Sequence, residues 1–242
     1  MAYSFQVDTA GTLTTSLVSY YKLDSNSNDV WGGKNGTDTS MSYVSGKVNN
    51  AASFNGTSSR INVSAGMSSS PTYSVNFWIY TGTLKYDVIM GLNSVDGNAN
   101  SNAIFWYYSA PTSVISIYDG VSGNAWKGST ALSTSTWYMI TITINSGDAD
   151  PNIYVNNSLQ TLSKDGTPAG SNLKLNGDWV FGNRRDLFVD YYYNGYLDEL
   201  GIWTKVLSST ERGDLYNSGS GQTMVDAVVK DIIQEGILAF AR

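Results

Sequence analysis

The stretch Gly195-Tyr-Leu-Asp-Glu-Leu-Gly-Ile-Trp203 alternates between two sets of side chains. In a regular strand Tyr196, Asp198, Leu200 and Ile202 would share one face, and the residues between them would lie on the other face. A carboxylate on a buried face costs free energy unless it is paired, hydrogen-bonded or bound to a metal. The stretch therefore predicts either the closing strand of a large sheet fold with a specialised Asp198, or a strand whose Asp198 face is open to water.

The composition of the whole chain favours strands joined by polar turns. The 242 residues include 24 Gly and 17 Tyr but only 4 Pro, and charged residues make up 14%. Alternating apolar segments, of which residues 137–144 are the clearest, recur roughly every ten residues with Asn, Asp, Gly and Ser between them. This pattern predicts an all-β fold, a sandwich of two antiparallel sheets.

Several classes of function are disfavoured by what the sequence lacks. The net charge is −6 without a cluster of Lys and Arg, which argues against a nucleic-acid partner. There is no Cys and no His, so disulfides, Ser-His-Asp and Cys-His triads and His-ligated zinc are excluded. Residues 1–7 lack the basic start and apolar run of a signal peptide, and no apolar segment is long enough to span a membrane.

The hydrophobic period changes after Trp203, which divides the chain into three parts. Residues 1–16 are polar and predict an arm or an edge strand, and residues 17–218 hold the strands. Ser208 and Glu211 form a capping-box pattern that predicts a short helix over residues 207–216. Residues 219–242 are predicted to be a flexible linker followed by an amphipathic helix from residue 222. That helix either assembles the protein into a homo-oligomer or larger particle, or packs back onto the sandwich.

Eight short motifs run in a fixed order along residues 17–218. They are Tyr20-Tyr-Lys-Leu-Asp24, Ser53-Phe-Asn-Gly56, Val75-Asn-Phe-Trp-Ile79, Trp137-Tyr-Met-Ile140, Ile153-Tyr-Val-Asn156, Phe181-Gly-Asn183, Gly195 to Trp203, and Leu207-Ser-Ser-Thr-Glu211 with Leu215-Tyr216. Their order resembles the laminin-G-like, concanavalin A-like lectin/glucanase superfamily. The resemblance implies a jelly-roll sandwich of a dozen or more strands. It does not fix a function, because this fold hosts lectins, adhesion modules, enzymes and virion proteins.

The resemblance also implies a cation site, since members of the family often hold calcium between the first strand and the closing strand. Asp24, Asn55 and Asp198 are the residues of this chain that would supply the oxygen ligands that calcium prefers. Such a calcium ion would be structural. In the alternative interpretation Asp24 caps a turn and Asp198 accepts backbone N–H bonds.

Aromatic and Arg side chains near predicted strand ends are the candidates for ligand binding. Aromatic rings stack on sugars and also serve protein interfaces, although half of the rings in a strand are ordinarily core. An Arg pair at 184–185 would grip an acidic sugar or form an ion-paired turn. The candidates are Trp106, Tyr108, Trp126, Arg184, Tyr191 and Tyr192.

Catalysis is not predicted, because Asp198 and Glu199 are adjacent and would point to opposite faces of a strand. Glycoside cleavage needs two acids that flank one bond. We therefore predict a non-enzymatic carbohydrate-binding or adhesion module whose partner is a glycan or host-surface polysaccharide. A phage virion decoration or fibre protein, made in the cytoplasm and attached through its terminal segments, fits these features. The alternatives are an assembly-only virion or surface protein, and a disfavoured glycoside hydrolase or lyase.

Overall fold

The structure is a computed structural model. It describes residues 11–83, 85, 87–92, 103–109, 112–121, 123–173, 175–183 and 191–224, with the backbone alone at 65–69, 92, 103–109, 112, 175 and 176. Sixteen strands and one α-helix lie in these ranges. They are β1 Leu17–Tyr21, β2 Thr37–Thr39, β3 Ser42–Ser45, β4 Asn50–Asn55, β5 Arg60–Ser70, β6 Tyr73–Thr81, β7 Asp87–Leu92, β8 Ala103–Ser109, β9 Thr112–Tyr118, β10 Ala125–Lys127, β11 Trp137–Ile144, β12 Asn152–Val155, β13 Ser158–Leu159, β14 Ser163–Asp165, β15 Leu175–Phe181, β16 Asn194–Trp203 and α1 Ser209–Tyr216.

The strands form two antiparallel eight-stranded sheets, which confirms the predicted sandwich. The first sheet has the order β13-β12-β11-β6-β16-β4-β3, and β1 also pairs with β16. The second sheet has the order β14-β10-β9-β8-β7-β15-β5-β2. The closing strand β16 lies in the middle of the first sheet, so every residue of the 195–203 stretch except Glu199 pairs with a neighbouring strand on one or both sides.

Alternating residues of both sheets build the core between them. On β6, Val75, Phe77 and Ile79 point inward and are fully buried. A second apolar cluster covers the outer face of the first sheet, and it contains Trp78 of β6 and Trp203 of β16. The first sheet is thus apolar on much of both faces, whereas a sheet with one face in water would alternate between apolar and polar residues.

The strict alternation predicted for the 195–203 stretch is wrong, because a β-bulge interrupts it. Asp198 pairs with Trp78 and Gly201 pairs with Asn76, so β16 carries one extra residue between these two pairs. Glu199 sits in the bulge with a φ of 51°. Leu200 and Ile202 belong to the inner core, whereas Asp198 lies beside Trp78 on the outer face of the sheet. The carboxylate and the apolar side chains therefore do not share a face.

The short helix α1 confirms the capping-box prediction. The Ser208 hydroxyl accepts a hydrogen bond from the Glu211 backbone N–H at 3.2 Å, and the Glu211 carboxylate accepts one from the Ser208 N–H at 2.8 Å. The helix covers part of the outer face of the first sheet. Arg212 lies 3.8 Å above the ring of Tyr154, and Tyr216 stacks on Trp78 with ring centroids 5.9 Å apart.

Both described ends of the chain pack on this same outer face. Residues 11–16, the described part of the segment predicted to be an arm or an edge strand, form turns, and the backbone carbonyl of the buried Leu13 accepts a hydrogen bond from the Trp203 indole. Residues 219–224 are also packed on the sandwich, so the predicted boundary after residue 218 is wrong there: Met224 is buried, and its N–H donates to the Tyr20 hydroxyl at 2.8 Å. The predicted C-terminal helix falls almost wholly on residues 225–242, outside the described residues, and 222–224 are not helical.

No helix among the described residues is long and apolar enough to cross a membrane.

Candidate functional site

Asp198 holds the turn between β3 and β4. Its Oδ2 accepts hydrogen bonds from the backbone N–H groups of Lys47 at 2.8 Å and Val48 at 2.9 Å. The residue is 0% exposed, and its Oδ1 is buried without a hydrogen-bond partner among the described residues. Burial raises the pKa of Asp198 to about 7, and backbone N–H groups, those of Val48 and Lys47 foremost, only partly oppose this shift.

Asp24 holds the other end of the same turn, since its Oδ1 accepts a hydrogen bond from the Asn50 N–H at 3.0 Å. Its charge also contributes to the raised pKa of Asp198, so the two carboxylates interact electrostatically. The predicted neighbourhood of Asp198 and the Asp24 turn is thus present, although Asp198 is not fully hydrogen-bonded.

Asn55 does not join these two acids, and its inclusion in the predicted cation site is wrong. It pairs with Asn194, four residues before Asp198 on β16, which corresponds to roughly 13 Å along the strand. Its Oδ1 is already engaged by the backbone N–H groups of Thr57, Ser58 and Ser59. Within the described part of the chain no group of three or more acidic residues could hold a metal ion.

Two of the predicted ligand-binding rings are core residues, and their assignment to a ligand site is wrong. Trp126 is fully buried, and its indole N–H donates to Asp150 Oδ1 at 2.8 Å. Tyr192 is only 7% exposed and forms an isolated bridge with Val88. Neither ring offers a free face to a sugar.

Tyr191 alone of the predicted rings is described as half-buried, and it packs against Val88. Trp106 and Tyr108 lie in β8, but their side chains are outside what the structure describes. Arg184 falls in residues 184–190, which are not among the described residues. The predicted ligand site is therefore not assembled by the described side chains.

A buried acid close to Tyr191 was not singled out from the sequence. Asp87 is 0% exposed, its Oδ1 lies 3.1 Å from Lys85 Nζ, and its Oδ2 accepts from the Asn194 N–H at 3.2 Å. Burial raises the pKa of Asp87 to about 6, and the charge of Lys85 opposes the shift. The hydrogen bond from Asn194 to Asp87 joins the start of β16 to the start of β7.

Three half-buried aromatic rings form a cluster on the outer face of the first sheet, and the sequence analysis did not group them. We call Trp137, Tyr80 and Tyr196 the aromatic cluster. The ring centroid of Tyr80 is 5.5 Å from Trp137 and 5.0 Å from Tyr196, and Trp137 and Tyr196 are 6.2 Å apart. All three rings are partly exposed. Their side chains share one face because the residues pair directly across β11, β6 and β16.

The aromatic cluster lies next to the part of the sheet that α1 covers, in the direction of the end of β6. The covered Trp78 is two residues from Tyr80 on the same face of β6. In the other direction across the sheet, Ser53 pairs with Tyr196 and Ser42 pairs with Ser53. The uncovered strip therefore consists of three rings followed by two short hydroxylated side chains.

Such a strip is typical of ligand contact, because partly exposed aromatic faces beside a few polar groups line many binding sites. In the sequence Tyr80 and Trp137 alternate with the core residues of their own strands, whereas the bulge gives Tyr196 the same parity as the core residues Leu200 and Ile202. Parity alone does not reveal which of the distant strands become neighbours.

Comparison with solved structures shows a shared fold with low sequence identity. The fourth domain of AbnA, an extracellular GH43 arabinanase of Geobacillus stearothermophilus solved with arabinotriose, is 21% identical, with a TM-score of 0.64 over 86% of this chain and 98% of that domain. A native heptameric SAP-like pentraxin of Limulus polyphemus is 15% identical, with a TM-score of 0.56 over 70% of this chain and 82% of the pentraxin. A Trypanosoma rangeli sialidase is 13% identical, with a TM-score of 0.62 over 86% of this chain but only 34% of the sialidase.

No curated protein matches the sequence significantly. A laminin-G-type family model, described as the concanavalin A-like lectin/glucanases superfamily, matches residues 55–211. This match spans more than half of the chain and includes β16 and most of both sheets. The chain belongs to the concanavalin A-like lectin/glucanase superfamily.

Proposed function

We propose that the protein is a non-enzymatic module that binds carbohydrate on the outer face of its first sheet. The observation that carries this proposal is the aromatic cluster of Trp137, Tyr80 and Tyr196, half-buried and left uncovered by α1. Sugar rings present C–H faces that stack on aromatic rings, and hydroxyls that need polar partners nearby. The solved AbnA domain in complex with arabinotriose is consistent with this role for the fold.

The described acids give little support to a hydrolase. Asp198 is fully buried beneath the turn that holds Lys47 and Val48, so a substrate does not reach it. Asp87 is also fully buried and is paired with Lys85. Glycoside cleavage requires two carboxyl groups on either side of an accessible glycosidic bond. A sialidase is among the solved structures of the same fold, so an assay for glycan cleavage is part of the test of this proposal.

A calcium ion at Asp24 and Asp198 forms the second part of the proposal, with a structural role. Asp198 Oδ1 is buried and unpartnered, and the two carboxylates repel each other, so a divalent cation would stabilise the pair. Backbone carbonyls of the turn at 46–50 would have to supply further ligands, because Asn55 is too far away. The ion would hold the β3–β4 turn against β16.

The predicted roles of the terminal segments remain predictions, because residues 1–10 and 225–242 lie outside the described residues. Assembly into an oligomer or a virion through these segments would place the attachment on the outer face of the first sheet, where residue 224 is anchored. An assembly-only protein without a glycan ligand is the second candidate function.

A glycan array, read with calcium and with chelator, tests the proposed function. We expect binding to at least one glycan class and no release of reducing ends from any polysaccharide that is bound. Absence of binding in both conditions contradicts the carbohydrate-binding proposal and favours the assembly-only alternative. Release of reducing ends, retained after purification of the protein to homogeneity, contradicts the non-enzymatic part.

A further inference from the structure

We infer that one uncharged sugar ring of the bound glycan binds against the face of the Tyr196 ring that is turned away from Tyr80, and above Ser53 and Ser42. This inference rests on the proposed function and adds to it the position, the contacts and the charge class of the ligand. It is carried by the register of three neighbouring strands and by the ring contacts on one side of Tyr196.

The free face of Tyr196 follows from the position of its neighbours. Tyr80 stacks on Tyr196 with an interplanar angle of 13°, and Trp137 approaches from the same direction at 6.2 Å. Both neighbours lie on strands to one side of β16, since the sheet order is β11-β6-β16-β4-β3. The opposite face of the Tyr196 ring is therefore turned toward β4 and β3.

Short side chains leave space in front of that face. Ser53 lies directly opposite Tyr196, and Ser42 lies directly opposite Ser53, so all three project from the same side of the sheet. We call Tyr196, Ser53 and Ser42 the shelf. It crosses the two spacings between β16, β4 and β3, roughly 10 Å, and it ends at β3, the edge strand. The Tyr196 ring bounds the shelf on one side, and Ser53 and Ser42 form its base. The space above the two serines matches the size of one sugar ring.

Both hydroxyls on the shelf are available to a ligand. Ser53 is half-buried and Ser42 is exposed. Over the ranges that the structure describes, neither hydroxyl hydrogen-bonds to another residue, unlike the nearby Ser59, which donates to the Ser40 carbonyl. A serine hydroxyl both donates and accepts, as does each sugar hydroxyl, so the two kinds of group are complementary.

None of the three shelf residues is acidic or basic, and Asp198, two residues from Tyr196 on the same face, is fully buried beneath the β3–β4 turn, which favours an uncharged ligand. Lys47, the cation on the neighbouring turn, has its Nζ above the Trp78 ring at 4.7 Å. The net charge of −6 disfavours the approach of an anionic glycan. Recognition through ring stacking and neutral hydrogen bonds predicts a neutral glycan whose affinity hardly depends on salt, in contrast to ionic recognition.

The experiment measures, by calorimetry, the affinity of the neutral oligosaccharide that the array selects for wild type and four variants. Ser53→Leu fills the shelf and Tyr196→Ala removes the ring that bounds it, and each should weaken binding at least about tenfold. Tyr196→Phe keeps the ring and should stay within about threefold of wild type. Ser158→Leu makes the same exchange at an exposed position on the other edge of the same sheet and should bind like wild type.

The outcomes separate the shelf from the broader proposal. If wild type binds a glycan and Ser53→Leu binds it equally well, the shelf assignment is overturned while carbohydrate binding stands. A preference for acidic glycans that weakens steeply with salt also overturns the shelf assignment. If wild type binds no glycan, both fail. Melting temperatures check that each variant is folded, and Tyr196→Phe and Ser53→Leu decide the question if Tyr196→Ala does not fold.

Discussion

Replacing Asp198 by Asn should stabilise the protein much more at alkaline pH than in acid. The carboxyl group has a pKa of about 7 in the folded protein against 3.8 for an ordinary Asp. Between these values the folded protein keeps a proton that the unfolded chain releases, so the free energy of unfolding falls as the pH rises. This loss of unfolding free energy is complete above pH 7. Removal of the Asp198 charge therefore raises the stability of the protein most at alkaline pH.

The size of the effect follows from the pKa shift. About three pKa units at 1.36 kcal/mol each give an upper limit of about 4 kcal/mol. In a domain of this size each kcal/mol moves the melting temperature by roughly 2–4 °C. The Asn side chain still accepts hydrogen bonds from Lys47 and Val48 through its carbonyl oxygen, so the β3–β4 turn stays anchored. We therefore expect Asp198→Asn to melt several degrees above wild type at pH 8 in chelator.

The assay is thermal unfolding of both proteins from pH 4.5 to 8.5. Asp87, whose pKa is raised to about 6, contributes to both profiles and cancels in their difference. Asp148→Asn removes an exposed carboxylate and controls for the loss of one negative charge. A difference between wild type and Asp198→Asn that is the same at pH 5 and pH 8 would refute the reasoning. Calcium should stabilise wild type at pH 8 and fail to stabilise Asp198→Asn, which tests the proposed cation site.

Two further predictions concern the core and the chain ends. Trp126→Phe removes the indole hydrogen bond to Asp150 and should lower the free energy of unfolding by about 1–3 kcal/mol. The affinity for the glycan should stay unchanged. Weaker glycan binding by the folded variant would contradict the core role of Trp126. Deletion of residues 217–242 should cost about 2–4 kcal/mol more than deletion of residues 225–242, because only the longer deletion removes the buried Met224 and its bond to Tyr20. Equal melting temperatures for the two truncations would contradict the observed packing, and loss of oligomer mass in the shorter deletion would support the predicted assembly role.

The fold was predictable because alternation, turn residues and the capping box at Ser208 are local signals. The order of the motifs then identified the family, and both sheets and α1 were found. The side assigned to Asp198 was wrong because of a single residue: the bulge at Glu199 adds one position to β16, and a shift of one residue moves every following side chain to the other face. Nothing in the alternating pattern itself marks the bulge.

The candidate site was less predictable, because it depends on pairing between strands far apart in the chain. Trp137, Tyr80 and Tyr196 become neighbours only through the sheet order β11-β6-β16. Trp126 was a candidate because it lies near a predicted strand end, yet the fold buries it, and its indole N–H donates to Asp150. Asp24 and Asp198 could be paired from the family resemblance, whereas Asn55 was misplaced because its position along β4 was unknown.

The most direct test of carbohydrate binding at the aromatic cluster is the indole N–H spectrum of the protein during titration with the array-selected glycan. The chain has seven Trp, and the signal of Trp137 is assigned by its loss in Trp137→Phe. We predict that the Trp137 signal shifts on saturation while the signal of the fully buried Trp126 stays in place. A glycan that binds and leaves the Trp137 signal unmoved would contradict the account.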